Sequence, residues 1–156
     1  MKGIEYKPIG IIRSPYQSLI GMPIQPAGAE GVAGTVEIDA QYREGIKDLS
    51  GFSHIILIYH FHMAKSPSLL TRPYLDDEPH GIFSTRYPAR PNPIGISVVR
   101  LLNVEEHVLH IEEVDILDGT PLLDIKPYVP EFDVRQVESI GWLSGRAEKV
   151  SKAKSR

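Results

Sequence analysis

The chain has no cysteine. Disulfide frameworks, thiol catalysis and cysteine-held zinc are therefore excluded. No apolar run approaches the roughly 18 residues that a membrane span needs. The opening MKGIEYKPIG lacks the apolar core of a secretory signal, so a cytoplasmic protein with no membrane partner is expected. No Gly-x-Gly-x-x-Gly follows a strand-like stretch, and Gly-Lys-Ser and Gly-Lys-Thr do not occur, which removes a Rossmann dinucleotide site and a P-loop. Charge of either sign is also in short excess: 17 Lys and Arg face 20 Asp and Glu, for a net charge of -3. The excess is unevenly spread, with +4 from Arg146 to Arg156 and -7 over the rest. An acidic body with a basic end is not a generic polyanion binder, so DNA is not expected as a partner and any nucleic-acid contact must be local.

What is present is the composition of one globular domain: 156 residues, 42% hydrophobic and 24% charged. Glycine and proline, 13 of each, punctuate short apolar stretches. That rhythm predicts a β-rich fold with many loops. Strands are expected at 6–13, 34–38, 53–63, 81–86, 96–104 and 108–115, and again in 117–128 after a turn at Asp118-Gly119. Asp39 is placed to cap a short helix running to Leu49, and helical turns are expected near 133–141. The run SHIILIYHFHM has two faces, with His54, Ile56, Ile58, His60 and His62 on one and Ile55, Leu57, Tyr59, Phe61 and Met63 on the other. With no βαβ alternation, the expected fold is mainly β: a compact β-barrel with a few short helices and no Rossmann core. The domain should span 1–146, with 147–156 as a basic flexible tail.

Three polar clusters interrupt this pattern. His60 and His62, at i and i+2 on one strand face, are metal-ligand types, but no third ligand stands at a recognisable spacing and no metal is expected. In Arg86-Tyr-Pro-Ala-Arg-Pro-Asn-Pro-Ile-Gly95 the prolines fix φ and remove donors, so Arg86, Arg90 and Asn92 are held in defined directions. The arginines suit carboxylate or phosphate oxygens, and Asn92 offers the donor and acceptor that read an adenine edge. The third cluster runs from Asp115 to Tyr128 and places a carboxylate, a glycine and a hydroxyl at Asp118, Gly119 and Thr120, a set that can bind ribose or an amine.

The last two clusters, with Ile9-Gly-Ile-Ile-Arg-Ser-Pro-Tyr16, Pro23-Ile-Gln-Pro26 and Phe52-Ser-His-Ile55, resemble the TsaA-like or TrmO family over residues 4–130. Bacterial members of that family often carry Pro-Arg-Gln where this chain has Pro23-Ile24-Gln25. The resemblance implies an S-adenosylmethionine-dependent methyltransferase built on a β-barrel, acting as a homodimer on tRNA. It further implies N6-methylation of a (threonylcarbamoyl-)adenosine next to the anticodon. The cofactor contacts it implies are Pro23, Ile24, Gln25, His62, Met63, Arg86, Ile96, Leu117, Asp118, Gly119 and Thr120. An acceptor on the reacting N–H would fall to Asn92 or Asp118, and RNA contacts to Arg90, Lys149 and Lys152. Two other classes remain open on the residues: a sensor that binds S-adenosylmethionine or a nucleotide without catalysis, and a metal-dependent enzyme built on His60 and His62.

Overall fold

Six apolar stretches pair edge to edge until the last meets the first. In the computed structural model, which describes residues 1–20, 22–24, 28–73 and 75–146, these strands are β1 (Gly10–Arg13), β2 (Ala33–Ile38), β3 (His54–His60), β6 (Ile94–Glu105), β7 (Val108–Glu112) and β8 (Thr120–Pro127). They close as a barrel in the order β1-β2-β7-β6-β3-β8, with every pair antiparallel. Two residues each form β4 (Leu70–Thr71) and β5 (His80–Gly81), a small ribbon outside the barrel. Among the described residues there is no Rossmann core, and the mainly β barrel stands in its place, as the sequence predicts.

Period-two alternation fills the barrel. On β3 the odd-numbered face turns inward, burying Ile55, Leu57 and Tyr59. They meet Ile12, Val36, Val99, Leu109, Ile111 and Leu122 from the other strands. Because this face is removed from water, a one-residue slip would expose it, and the register is fixed. Two extra residues bend the wall. Ile58 pairs with Asp124 but Tyr59 with Leu122, and Leu101 pairs with Ile111 but Asn103 with His110. Such bulges let a short sheet turn a barrel corner.

The connections depart from expectation in three places. Asp39 does cap the next segment, accepting from the Gln41 N–H, but the helix is 3-10, at Ala40–Ile46 and Leu49–Gly51. The strand expected at 81–86 stops at Gly81 and becomes a 3-10 turn at Ile82–Ser84. There Ile82 is buried, Ser84 Oγ donates to the Gly81 carbonyl, and Thr85 donates to the Ile82 carbonyl from both N and Oγ1. Local hydroxyl bonds thus replace a ladder. The helical turns expected at 133–141 fall instead to either side, as α1 (Pro130–Asp133) and a 3-10 turn at Gly141–Leu143. Pro130 suits the first helical turn. The segment 147–156 lies outside the described residues.

The antiparallel order brings one set of strand ends together. The C-termini of β1, β3 and β7 and the N-termini of β2, β6 and β8 meet at a single mouth of the barrel.

Candidate active site

After β7 the chain turns sharply, with Glu113 at φ 67, a left-handed conformation uncommon for a non-glycine residue. The next residues alternate: Val114 and Ile116 are buried and plug the barrel mouth, while Asp115 points into a cleft between them and the loops above. The cleft holds about 610 Å³. One wall comes from the end of β3 and the start of β6, with Tyr59, Phe61, Ile94, Gly95 and Ile96. The proline-rich loop adds Arg86, Tyr87, Pro88 and Arg90, and the early loop adds Leu19, Met22, Pro23 and Ile24. Trp142 and Leu143 of the C-terminal segment complete the lining.

Gly95 has a specific reason here. A Cβ at this position would collide with the Tyr59 and Phe61 rings. Those rings meet edge to face, with centroids 5.4 Å apart and planes at 85°. The close approach at Gly95 is therefore made by two side chains, and it shapes the cleft wall.

Polar groups beneath this wall form a chain. Ser97 Oγ donates to Asp115 Oδ1 at 2.7 Å, and the Tyr59 hydroxyl lies 2.8 Å from Ser97 Oγ. Ser97 has one proton, so with that proton on Asp115 the Tyr59 O–H donates to Ser97. Burial pushes the Asp115 carboxyl up to about 6, a rise opposed by the Ser97 hydrogen bond, the backbone and the Arg86 charge. Burial, reinforced by Asp115, pushes Tyr59 further above its ordinary range, so it stays neutral. Among the described residues no buried side-chain nitrogen or oxygen lacks a hydrogen-bond partner.

The other residues expected at the site lie on the same mouth of the barrel. Asp118 sits in a turn whose N–H donates to the Tyr16 carbonyl, while the Gly119 N–H donates to the Ile12 carbonyl. Gly119, at φ 81, takes the left-handed conformation that suits glycine. The Asp118 carboxylate accepts from the Ser14 N–H at 3.1 Å and Gln17 Nε2 at 3.4 Å, and lies 3.9 Å from Arg13 Nη1. Leu117 is buried, and the buried Thr120 hydroxyl donates to its carbonyl. His62 and Met63 are exposed just past β3. Burial and then the neighbouring His60 lower the His62 pKa, against a raising influence of Asp118. Tyr16 links this turn to the cleft: its phenol pKa is raised by burial and then by Asp115.

Pro23, Ile24, Arg86, Arg90 and Ile96 therefore share the cleft, while His62, Met63 and Leu117–Thr120 lie at the same mouth of the barrel but outside the cleft lining. Asn92 is exposed and does not line the cleft. Arg90 Nη1 donates to the Thr85 and Tyr87 carbonyls, which holds its charge at the cleft edge. Gln25, Lys149 and Lys152 lie outside the described residues. Among the described residues no group of three His, Asp or Glu side chains is placed to hold a metal, and no helix is long and apolar enough to cross a membrane.

Two features escape the sequence reading. Asp115 is legible only as one carboxylate in an acidic, apolar run, and its exit into a cleft depends on the plug formed by its neighbours. Trp142 stands 58 residues from its hydrogen-bond partner, the Ser84 carbonyl, at 2.8 Å. It also stacks on His80, with centroids 4.7 Å apart, and His80 Nε2 lies 2.8 Å from Asp76 Oδ2. The C-terminal segment is thereby strapped across the cleft.

Comparison with known proteins gives consistent matches. The family described as the tRNA-methyltransferase O N-terminal domain matches residues 11–134. A probable S-adenosyl-L-methionine-binding protein of Pyrococcus abyssi is 59% identical, over 96% of this chain and 81% of that one. The tRNA (adenine(37)-N6)-methyltransferase of Escherichia coli is 34% identical, over 83% of this chain and 60% of that one. A crystal structure of TrmO from Pseudomonas aeruginosa aligns with a TM-score of 0.76 at 37% identity, over 90% of this chain and 63% of that one. The chain thus spans less than two thirds of the length of the last two.

Proposed function

We infer the function from a premise of kinship: the chain belongs to the family of the tRNA-methyltransferase O N-terminal domain. Our reading is an S-adenosylmethionine-dependent tRNA methyltransferase of the cytoplasm. Its finer form is transfer of a methyl group to N6 of an adenosine, or its threonylcarbamoyl derivative, next to the anticodon. The observation that supports this reading is the cleft at the barrel mouth, whose apolar and aromatic walls include Pro23, Ile24, Arg86 and Ile96 of the motif stretches.

The residues present fit the cofactor. A volume of about 610 Å³ is in the range of small-molecule sites, roughly 300–1,000 Å³. Phe61, Phe83, Tyr87 and Trp142 offer flat apolar surface for a purine. Arg86 offers a fork for a carboxylate, and the amides and carboxylate of the Asp118 turn offer partners for an amine or ribose. When bound, the cofactor supplies an electrophilic methyl carbon on a positively charged sulfur. The protein's task is then positioning, since an in-line displacement gains most from fixed geometry. The aromatic side chains and the Trp142 segment narrow the cleft, and Arg86 and Arg90 hold positive charge at its edge, suited to a tRNA phosphate or a carboxylate.

We read the working form as a homodimer. Ile94 and Ile96, which also line the cleft, are 43% and 50% exposed at the start of β6, so a partner's cover there would border the cleft. Sedimentation of an active monomer at micromolar concentration would count against this.

The deciding experiment incubates the purified chain with total tRNA and methyl-labelled S-adenosylmethionine, followed by nucleoside mass spectrometry. The expected product is an N6-methylated adenosine derivative. Cofactor binding without label transfer would instead identify a sensor.

A further inference from the structure

Of the carboxylates near the barrel mouth, Asp115 alone among the described residues lines the cleft. Asp118 is engaged by Ser14, Gln17 and Arg13, and Asn92 is exposed away from the cleft. We propose that Asp115 is a catalytic residue, the proton acceptor for the nitrogen that is methylated, oriented by the Ser97–Tyr59 hydroxyl chain. This rests on the methyltransferase reading above.

The geometry argues for it in three ways. The carboxylate is held from beneath: Ser97 Oγ engages Oδ1 at 2.7 Å, and Tyr59 stands 2.8 Å behind Ser97. Such a chain polarises along its length and fixes the acceptor's direction. Its other oxygen belongs to a side chain that borders the same space as Arg86, Tyr87 and Ile96. Burial gives it a proton affinity above that of an ordinary carboxylate, at about 6, yet leaves it ionised at neutral pH. That is the condition of an effective general base.

The step balances. The nitrogen lone pair forms the N–CH3 bond as the S–CH3 bond breaks, its electron pair passing to sulfur. The proton on that nitrogen passes to an Asp115 oxygen and then to solvent, which restores the carboxylate. The exocyclic nitrogen is a weak nucleophile because its lone pair is delocalised, and loss of its proton to Asp115 offsets that weakness.

Three measurements on the intact chain test the proposal. Asp115→Asn should lower label transfer to tRNA by about 10²-fold or more, while calorimetry finds S-adenosylmethionine affinity within about threefold of wild type. The wild-type rate should rise with pH through one ionisation near 6. Ser97→Ala removes a hydrogen bond that lowers the Asp115 pKa, so both the rate step and the Asp115 carboxyl NMR titration should move to higher pH. Undiminished transfer by Asp115→Asn would overturn the proposal and leave the methyltransferase reading intact. A tenfold loss of cofactor affinity in Asp115→Asn would make it a cofactor-binding residue and overturn the proposal too. If Asp115→Asn fails to fold, an unmoved rate step in Ser97→Ala overturns it. No transfer by the wild type to any tRNA would overturn the methyltransferase reading, and the proposal with it.

Discussion

Gly95 and Asp115 show how single residues set the cleft. At Gly95 the missing side chain is occupied by the Tyr59 and Phe61 rings. Gly95→Ala should therefore displace both rings and cost about 1–3 kcal/mol, as overpacking does. Chemical denaturation measures the loss, and a parallel fall in cofactor affinity is expected. Asp115 acts in the opposite sense, because its burial carries a stability cost. Its carboxyl titrates near 3.8 when unfolded and at about 6 when folded. Between those values the folded chain holds a proton that the unfolded chain has released. Stability from this group is thus fullest below about pH 4 and declines as pH rises through 6. Asp115→Asn does not titrate. Its stability relative to wild type should grow across that window, by up to about 3 kcal/mol at pH 8. Matched denaturation curves at pH 4 and pH 8 check this, and no growth would mean that the carboxylate is better solvated than its placement implies.

Among elements, the C-terminal strap is the one that long-range contacts create. Its hold rests on the Trp142–Ser84 hydrogen bond, the Trp142–His80 stack and the His80–Asp76 pair, with Arg146 Nη2 4.0 Å from Asp76. Trp142→Ala should cost about 1–2 kcal/mol and weaken cofactor binding, read by thermal melts and calorimetry. The Asp76 pKa is lowered chiefly by its hydrogen bond with His80. Its contribution is present above the unfolded value of 3.8 and is lost as pH falls through the lower folded value. Acid below about pH 4 should therefore loosen the strap before the barrel melts, visible as earlier proteolysis in the segment after Asp133. None of this strap was legible beforehand, because residues 134–140 carry no clear period and their partners are remote in sequence. The strand expected at 81–86 failed for a related reason. Its β-like composition is intact, but Ser84 and Thr85 satisfy local carbonyls and end the ribbon.

At the scale of the whole molecule, the barrel was the most legible feature. Alternating burial along β3 and β7 marks an inward face, and only closure gives six strands a common interior. Leu109, fully buried on β7, meets that interior; Leu109→Ala should cost about 2–5 kcal/mol in a denaturant titration. The site was legible as motifs, since the Arg86 loop and the Asp118 turn were identified as such. Their arrangement was not: it follows from an even number of antiparallel strands, which delivers six strand ends to one mouth. Asp115 emerged only there, because a carboxylate's environment depends on residues from β3 and β6 that lie 56 and 18 positions away.

Trp142 gives the cleft an optical property. The chain contains a single tryptophan, and its indole lies on the cleft wall, stacked at 19° to the His80 ring. Tryptophan emission, excited apart from the seven tyrosines, therefore comes from one place. A ligand that fills the cleft should shield this indole from water and shift its emission to shorter wavelength. A titration of the unlabelled protein then follows binding by colour alone.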